Sequence, residues 1–236
     1  MSDLHLDAVT MGVPRFPELE QALAHTVQVA AQQKVDAYVF LGDLCDPDSG
    51  PTVFKCVELA IRTARCLADA YGIRSYWLAG NHDVIEDGSG LTTLGPIRPA
   101  LGSHGMVIEH PTSWALDGAT FVALPFTATS HAYDPAKFLA DHLPTGAHGG
   151  PYVVLSHLNV PGIIPGEETT EMPRGRDITL PLELLARPDV LVLQGHYHRQ
   201  QVHRHMGAVV NVCGSLARLT HGEEEHTPGY LLCEVG

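Results

Sequence analysis

Residues 35–46 read VDAYVFLGDLCD, and this stretch decides the fold. Residues 35–41 form an apolar run rich in β-formers, the pattern of a buried strand. Gly42 ends the run, and two carboxylates, Asp43 and Asp46, follow it closely. The same grammar recurs three times. Residues 74–79 (RSYWLA) lead to Gly80-Asn81-His82-Asp83, residues 152–156 (YVVLS) to His157, and residues 189–194 (DVLVLQ) to Gly195-His196-Tyr197-His198. Between these strands lie helical patterns. Residues 16–33 place Leu19, Ala22, Leu23, Thr26 and Ala30 on one face. Residues 52–71 do the same with Val53, Val57, Ala60, Ile61, Ala64, Leu67 and Ala68, and Gly72 follows as a C-terminal cap. Asp117-Gly118 separates two apolar runs in residues 114–125, a hairpin signal. Residues 208–213 and 230–235 read as later antiparallel strands. Strand–helix alternation with added antiparallel strands predicts an α/β chain. In such sheets ligands bind beyond the carboxyl ends of the strands, where the polar clusters fall.

The bulk composition narrows the class. With 236 residues, 44% of them hydrophobic, the chain suffices for one well-cored domain spanning residues 1–236. No run approaches eighteen apolar residues, so no membrane helix is expected. The start, Met1-Ser2-Asp3-Leu4-His5, lacks the basic and apolar regions of a signal peptide. Five cysteines without a C-x-x-C pair point to reduced thiols in a cytoplasmic protein. The net charge of −13 opposes non-specific nucleic-acid binding unless charge is unevenly spread. It is uneven: Arg174, Arg176, Arg187, Arg199, Arg204 and Arg218 all fall in the last third.

Fifteen histidines stand out, and their placement carries the chemistry. Asp3 and His5 are two apart, as are His196 and His198, so in an extended segment each pair points to one side. Glycines 42, 80 and 195 sit where a side chain would crowd a strand end. Carboxylate, imidazole and amide oxygen together suit Mn²⁺, Fe or Zn²⁺ better than Ca²⁺. Two such ions can clamp a phosphate, activate water and stabilise a leaving oxygen. Each motif alone is weak: D-x-H is common, and a lone strand-end histidine is more often structural. The ordered set D-x-H, G-D-x-x-D, G-N-H-D, strand-end His and G-H-x-H is specific. Cys45, between Asp43 and Asp46, reads as a packed loop thiol rather than a ligand.

This set resembles the calcineurin-like metallophosphoesterases over nearly the whole chain. The resemblance implies two mixed β-sheets packed face to face with helices on the outer faces. It implies that Asp3, His5, Asp43 and His198 hold one metal, and that Asp43, Asn81, His157 and His196 hold the other. His82 would protonate the leaving group or stabilise the transition state, with Asp83 and Asp46 orienting His82 and the nearby ligands. A nearer resemblance is to the Mre11/SbcD nucleases. It rests on GHYHRQQ (195–201), NVCGSLAR (211–218), GEEE (222–225) and the closing residues 229–235, with Leu124-Pro125-Phe126 and the stretch from His157 through Gly166-Glu167-Glu168 to Leu180-Pro181 also similar. By that resemblance the strand ahead of D-x-H is truncated here, and the C-terminal capping domain is absent or reduced.

The implied function is a two-metal, Mn²⁺-dependent phosphodiesterase acting on DNA, partnered by an SbcC/Rad50-like ATPase, with a homodimer as a further expected assembly. Arg199 would touch the DNA backbone, and Tyr197 either stacks on a base or sugar or packs inside. Two alternatives stay open: a phosphodiesterase for a small substrate such as a cyclic nucleotide, and a non-catalytic scaffold. Intact Asp43, Asn81 and His82 argue against the scaffold.

Overall fold

A computed structural model describes residues 1–143, 150–164 and 178–235. In chain order its elements are β1 (Val9–Thr10), β2 (Val13–Pro14), α1 (Phe16–Gln33), β3 (Ala37–Phe40), α2 (Thr52–Arg65), β4 (Arg74–Leu78), α3 (Arg98–Leu101), β5 (Gly105–Ile108), β6 (Thr112–Leu116), β7 (Ala119–Leu124), α4 (Pro135–His142), β8 (Tyr152–Ser156), β9 (Val190–Gln194), β10 (Gln201–His205) and β11 (Ala208–Val212). Short β1 and β2 pair as a hairpin. The remaining strands form a mixed six-stranded sheet, ordered β10-β11-β9-β8-β7-β6, and a three-stranded sheet, ordered β3-β4-β5. All pairings in the smaller sheet are parallel. In the larger one β7, β8, β9 and β11 run parallel while β6 and β10 are antiparallel to their neighbours.

The period-2 alternation of each strand assigns the layers. On β3 and β4, Tyr38, Phe40 and Trp77 face a core they share with Leu19 and Leu23 of α1 and with Leu59 and Ala60 of α2. Their neighbours Val39, Tyr76 and Leu78 face Phe121, Val153 and Leu155 of the larger sheet. On that sheet Tyr152, Val154 and Val192 face outward onto Leu139 of α4 and onto Leu182 and Leu185. The two sheets therefore pack face to face between outer helical layers. Tyr76, Trp114 and Phe121 stack between the sheets, with centroid separations of 4.8 and 5.2 Å along the series. Burying Phe40 and Trp77 completely contributes about 1.5–3 kcal/mol each.

Three sequence expectations need correction. The α2 face is rotated: Cys56, Leu59 and Thr63 are buried with Ala60 and Ala64, while Val53, Val57 and Ile61 are only half-buried. The helix runs on through a π-helical turn at Cys66–Ala70, and Gly72 follows with φ 67°. Residues 230–235 are not a strand. The chain's last backbone bond there runs from Gly229 N–H to Ser215 O, and beyond it Leu232 is 60% exposed. Tyr230 and Leu231 pack on the core, but the segment forms no ladder among the described residues. Lastly, Asp3 and His5 do not sit in an extended segment. Ser2 makes one parallel bridge to Ser215, and the chain then folds along the loop after β3, with Asp3 N–H bonded to Gly42 O and Leu4 and His5 N–H bonded to Asp43 O.

Candidate metal centre

Four strand ends build the site. β3 delivers Asp43, β4 delivers Asn81 and His82, β8 delivers His157, and β9 delivers His196 and His198. The N-terminal segment lays Asp3 and His5 against the first of these. Side chains two apart converge here through backbone twist, not through strand pleating. Asp3, His5, Asp43 and His196 have φ values of 51°, 41°, 62° and 73°, in the left-handed region. Such conformations cost of order 1–3 kcal/mol each and persist where the surrounding structure over-determines them. The loops also approach closely. A side chain at Gly80 would strike the Asp43 carboxylate and His157, and one at Gly195 would strike Leu41 O, the Ser2 hydroxyl and His157.

The donor atoms gather into two groups, Asp3–His5–His198 and Asp43–His157–His196. Within each, the ligating atoms lie within 4.8 Å of one another. Asp43 Oδ2 links them, 3.7 Å from His5 Nε2 and 3.1 Å from His157 Nε2. Asn81 Oδ1 completes the second group, 3.1 Å from His157 Nε2 and 3.0 Å from His196 Nδ1. All seven expected ligands are thus brought together, and Asp43 stands between the groups. Cys45 is buried in the core and belongs to neither group.

The chemistry of these donors fits divalent cations. Both carboxylate oxygens of Asp3 are buried and make no well-formed hydrogen bond, with the Ser2 hydroxyl and the His198 ring nearby. His5 Nε2 and His198 Nε2 face each other at 3.2 Å, two nitrogens that need a proton or a cation between them. A fully buried carboxylate so poorly supplied with donors is costly unless it is paired or coordinates a metal. Burial accordingly raises Asp3 above the usual carboxylate range and drives His5 well below the usual imidazole value. Asp43 is equally buried, yet His157 above all holds it well below the usual range.

Around this centre lies a second group of residues. His82 places Nδ1 2.7 Å from Asp46 Oδ1, with 39% of its side chain exposed at the mouth of the site. Burial acts to lower its pKa, but the Asp46 hydrogen bond and the charge of Asp43 raise it to about 9. In the metal-free protein the ring is therefore mostly imidazolium at neutral pH. Of the two roles expected of Asp83, it takes the one toward the ligands and not the one toward His82. Its carboxylate accepts from Asp43 N–H, Gly80 N–H, Leu44 N–H and the Thr93 hydroxyl, all at 2.8–2.9 Å. It clamps the two ligand loops together, whereas Asp46 is the group bonded to His82. Burial and the Asp43 charge push Asp83 up to about 6, still below neutrality.

Of the two readings of Tyr197, the structure fits packing inside and not stacking on substrate. It is 5% exposed, lies in the core under the larger sheet, and its hydroxyl accepts from Val160 N–H at 2.8 Å. A residue between two inward-pointing histidines faces the opposite side, into the core. Arg199 is exposed beside the site. Arg187 is tied to Asp189 at the start of β9, the opposite end from the ligands, so it joins no basic rim around the metals. Arg174, Arg176 and the Gly166-Glu167-Glu168 stretch lie outside the described residues.

Two residues were missed by sequence reasoning. Asp7 Oδ2 accepts from Asp46 N–H at 3.2 Å and from the Ser49 hydroxyl, bracing the loop that carries Asp46. Its signal was the continued i+2 spacing from Asp3 and His5. Glu223, fully buried, bonds His198 Nδ1 at 2.7 Å. Its signal was the acidic run 222–225, which does not itself say which residue turns inward.

Fold and ligand set together define a hydrolase that uses two metal ions on phosphoesters. The chain belongs to the calcineurin-like phosphoesterase family, whose model matches residues 1–211. Among solved structures, it is similar to a dimetal phosphatase from Danio rerio, at 15% identity, TM-score 0.51, and coverage of 91% of this chain and 85% of that one. A protein from Staphylococcus aureus provisionally described as a 5′-nucleotidase aligns at 17% identity and TM-score 0.49, covering 91% of this chain and 47% of that one. No curated protein matches the chain in sequence. No described helix is long and apolar enough to cross a membrane.

Proposed function

We propose that this phosphoesterase is a DNA phosphodiesterase of the Mre11/SbcD kind, using Mn²⁺ and working with an SbcC/Rad50-like ATPase, the nuclease subunit itself forming a homodimer. The observation that carries this reading is the folding of the segment after the last ligand motif. Ser215 N–H returns to His198 O, and Glu223 from the acidic run reaches His198 Nδ1. The G-S turn and acidic segment on which the nuclease resemblance rested are therefore structural parts of the metal centre.

Two divalent ions held by Asp3, His5, His198, Asp43, Asn81, His157 and His196 supply Lewis-acid polarisation of the phosphoryl oxygens and a water nucleophile at neutral pH. The rest is done by the chain. Asp43 N–H and Leu44 N–H are occupied by Asp83, so these loops keep their spacing when phosphate enters. His82, held by Asp46 on Nδ1, has Nε2 to donate a proton to the leaving oxygen. Arg199, exposed next to the ligands, supplies a local positive charge on a chain of net charge −13. That balance gives weak, salt-sensitive DNA binding alone and calls for a partner that grips the duplex.

The test is the purified protein with Mn²⁺ on linear duplex, single-stranded DNA, cyclic AMP and a chromogenic diester, across a salt series. Slow DNA cleavage that falls steeply with salt and rises with the ATPase partner is expected. Fast, salt-indifferent cyclic-nucleotide turnover with no DNA cleavage would refute the nuclease reading in favour of a small substrate.

A further inference from the structure

The four candidate ligand imidazoles differ in what stands behind them. A metal-binding histidine usually gives its far N–H to a carboxylate, a backbone carbonyl or water, and the choice sets both ring orientation and ligand basicity. His157 Nδ1 meets the backbone carbonyl of Leu41 at 2.5 Å. His198 Nδ1 instead meets the Glu223 carboxylate at 2.7 Å. Among the described residues, neither His5, His157 nor His196 has a carboxylate behind its far nitrogen.

Glu223 is itself tightly built in. It is fully buried, and its second oxygen accepts from Leu219 N–H at 2.6 Å. It closes the short helical turn His221–Glu223, and its own carbonyl accepts from His226 N–H at 2.8 Å. Leu219 O accepts from Thr10 of the β1–β2 hairpin, so the support for Glu223 is anchored to the segment that follows Asp3 and His5. A buried carboxylate in this position has one evident use. With Nδ1–H donated to Glu223, the neutral His198 ring carries its lone pair on Nε2, and that nitrogen points at His5 Nε2 and lies 3.9 Å from Asp3 Oδ1.

We propose that Glu223 is a positioning residue that makes the two metal sites unequal, giving the Asp3–His5–His198 site the tighter hold on its ion. The charged hydrogen bond fixes the tautomer and orientation of His198 and raises its donor strength. The Asp43–His157–His196 site relies on a neutral carbonyl for the same task. The inference rests on the two-metal reading and not on the identity of the substrate.

The experiment is calorimetric titration of metal-free protein with Mn²⁺, with free Mn²⁺ followed by electron paramagnetic resonance. The native chain should show two classes of site. Glu223→Gln, nearly isosteric, should weaken the tighter class by about 10–100-fold and leave the weaker class in place. In a His5→Ala background, which already impairs that site, Glu223→Gln should add little further loss. Thermal melting of the metal-free variants separates positioning from scaffolding. Equal weakening of both classes together with a large fall in melting temperature would reduce Glu223 to a structural residue. Unchanged titration of Glu223→Gln, or a native chain with two identical sites, would overturn the proposal. Should Glu223→Ala fail to fold, Glu223→Gln decides.

Discussion

Asp83 offers the sharpest test of how the site is held together. Its buried carboxylate receives four hydrogen bonds, two on each oxygen: Asp43 and Gly80 N–H on Oδ2, Leu44 N–H and the Thr93 hydroxyl on Oδ1. Asparagine keeps the shape but has one accepting oxygen. Its best placement puts the amide nitrogen at the Oδ1 position, where Thr93 can turn its hydroxyl to accept. Leu44 N–H is then stranded, and the two bonds left lose their charge assistance. A buried unsatisfied amide costs roughly 1–3 kcal/mol, so with the weakened bonds Asp83→Asn should lose about 2–4 kcal/mol. For a chain of this length that corresponds to a fall of about 4–16 °C in melting temperature. Asp83→Ala strands three backbone amides, on the order of 3–9 kcal/mol, against a total stability of about 5–15 kcal/mol, and should yield little folded protein. The assay is thermal and urea unfolding of metal-free protein, with metal content measured on the folded fraction. A melting temperature unchanged in Asp83→Asn, with activity lost, would refute the clamp and return Asp83 to His82.

Further outcomes follow from the same geometry. His82→Ala should keep both metals by elemental analysis and lose about 10²–10⁴ in rate, since His82 lies at the mouth and outside both ligand groups; metal loss would make it a ligand. Asp43→Ala should lose both ions, because one oxygen faces both groups. Tyr197→Phe leaves the buried Val160 N–H unpaired and should cost about 1–3 kcal/mol in unfolding while sparing DNA cleavage; unchanged stability with weakened DNA binding would contradict its burial. In the metal-free protein, burial opposes the charge on His157, but Asp43 raises it to about 9, above its ordinary value. It is therefore protonated below that pH, and cation binding at about pH 8 should expel a proton, measurable by calorimetry in buffers of differing ionisation heat. Release should fade above pH 9, and metal affinity should drop as pH falls; no proton release at pH 8 would contradict the His157 assignment.

Features confined to one element are readable from the residues alone. The helix over 16–33, the strand at 152–156 and the turn at Asp117-Gly118, with φ 47° and 89°, all follow from local periodicity and local turn chemistry. The ligand set was legible for a related reason: Asp43, Asn81, His157, His196 and His198 follow strand ends that the two sheets deliver to one place, while Asp3 and His5 were marked only by their D-x-H spacing. Which way the remaining polar residues point depends on how the sheets pack. Asp83 finds two of its three amides 39 and 40 residues away, and Glu223 finds His198 across 25. Nothing near either residue marks that partner. Tyr197 turned inward because its neighbours on both sides turn toward the metals. The D-x-H backbone is left-handed and not extended because Asp3 and His5 are bonded to the loop at Gly42 and Asp43, a contact between segments that no periodicity records. Burial and hydrogen bonding between distant segments set these orientations, and those partners exist only once the sheets have packed.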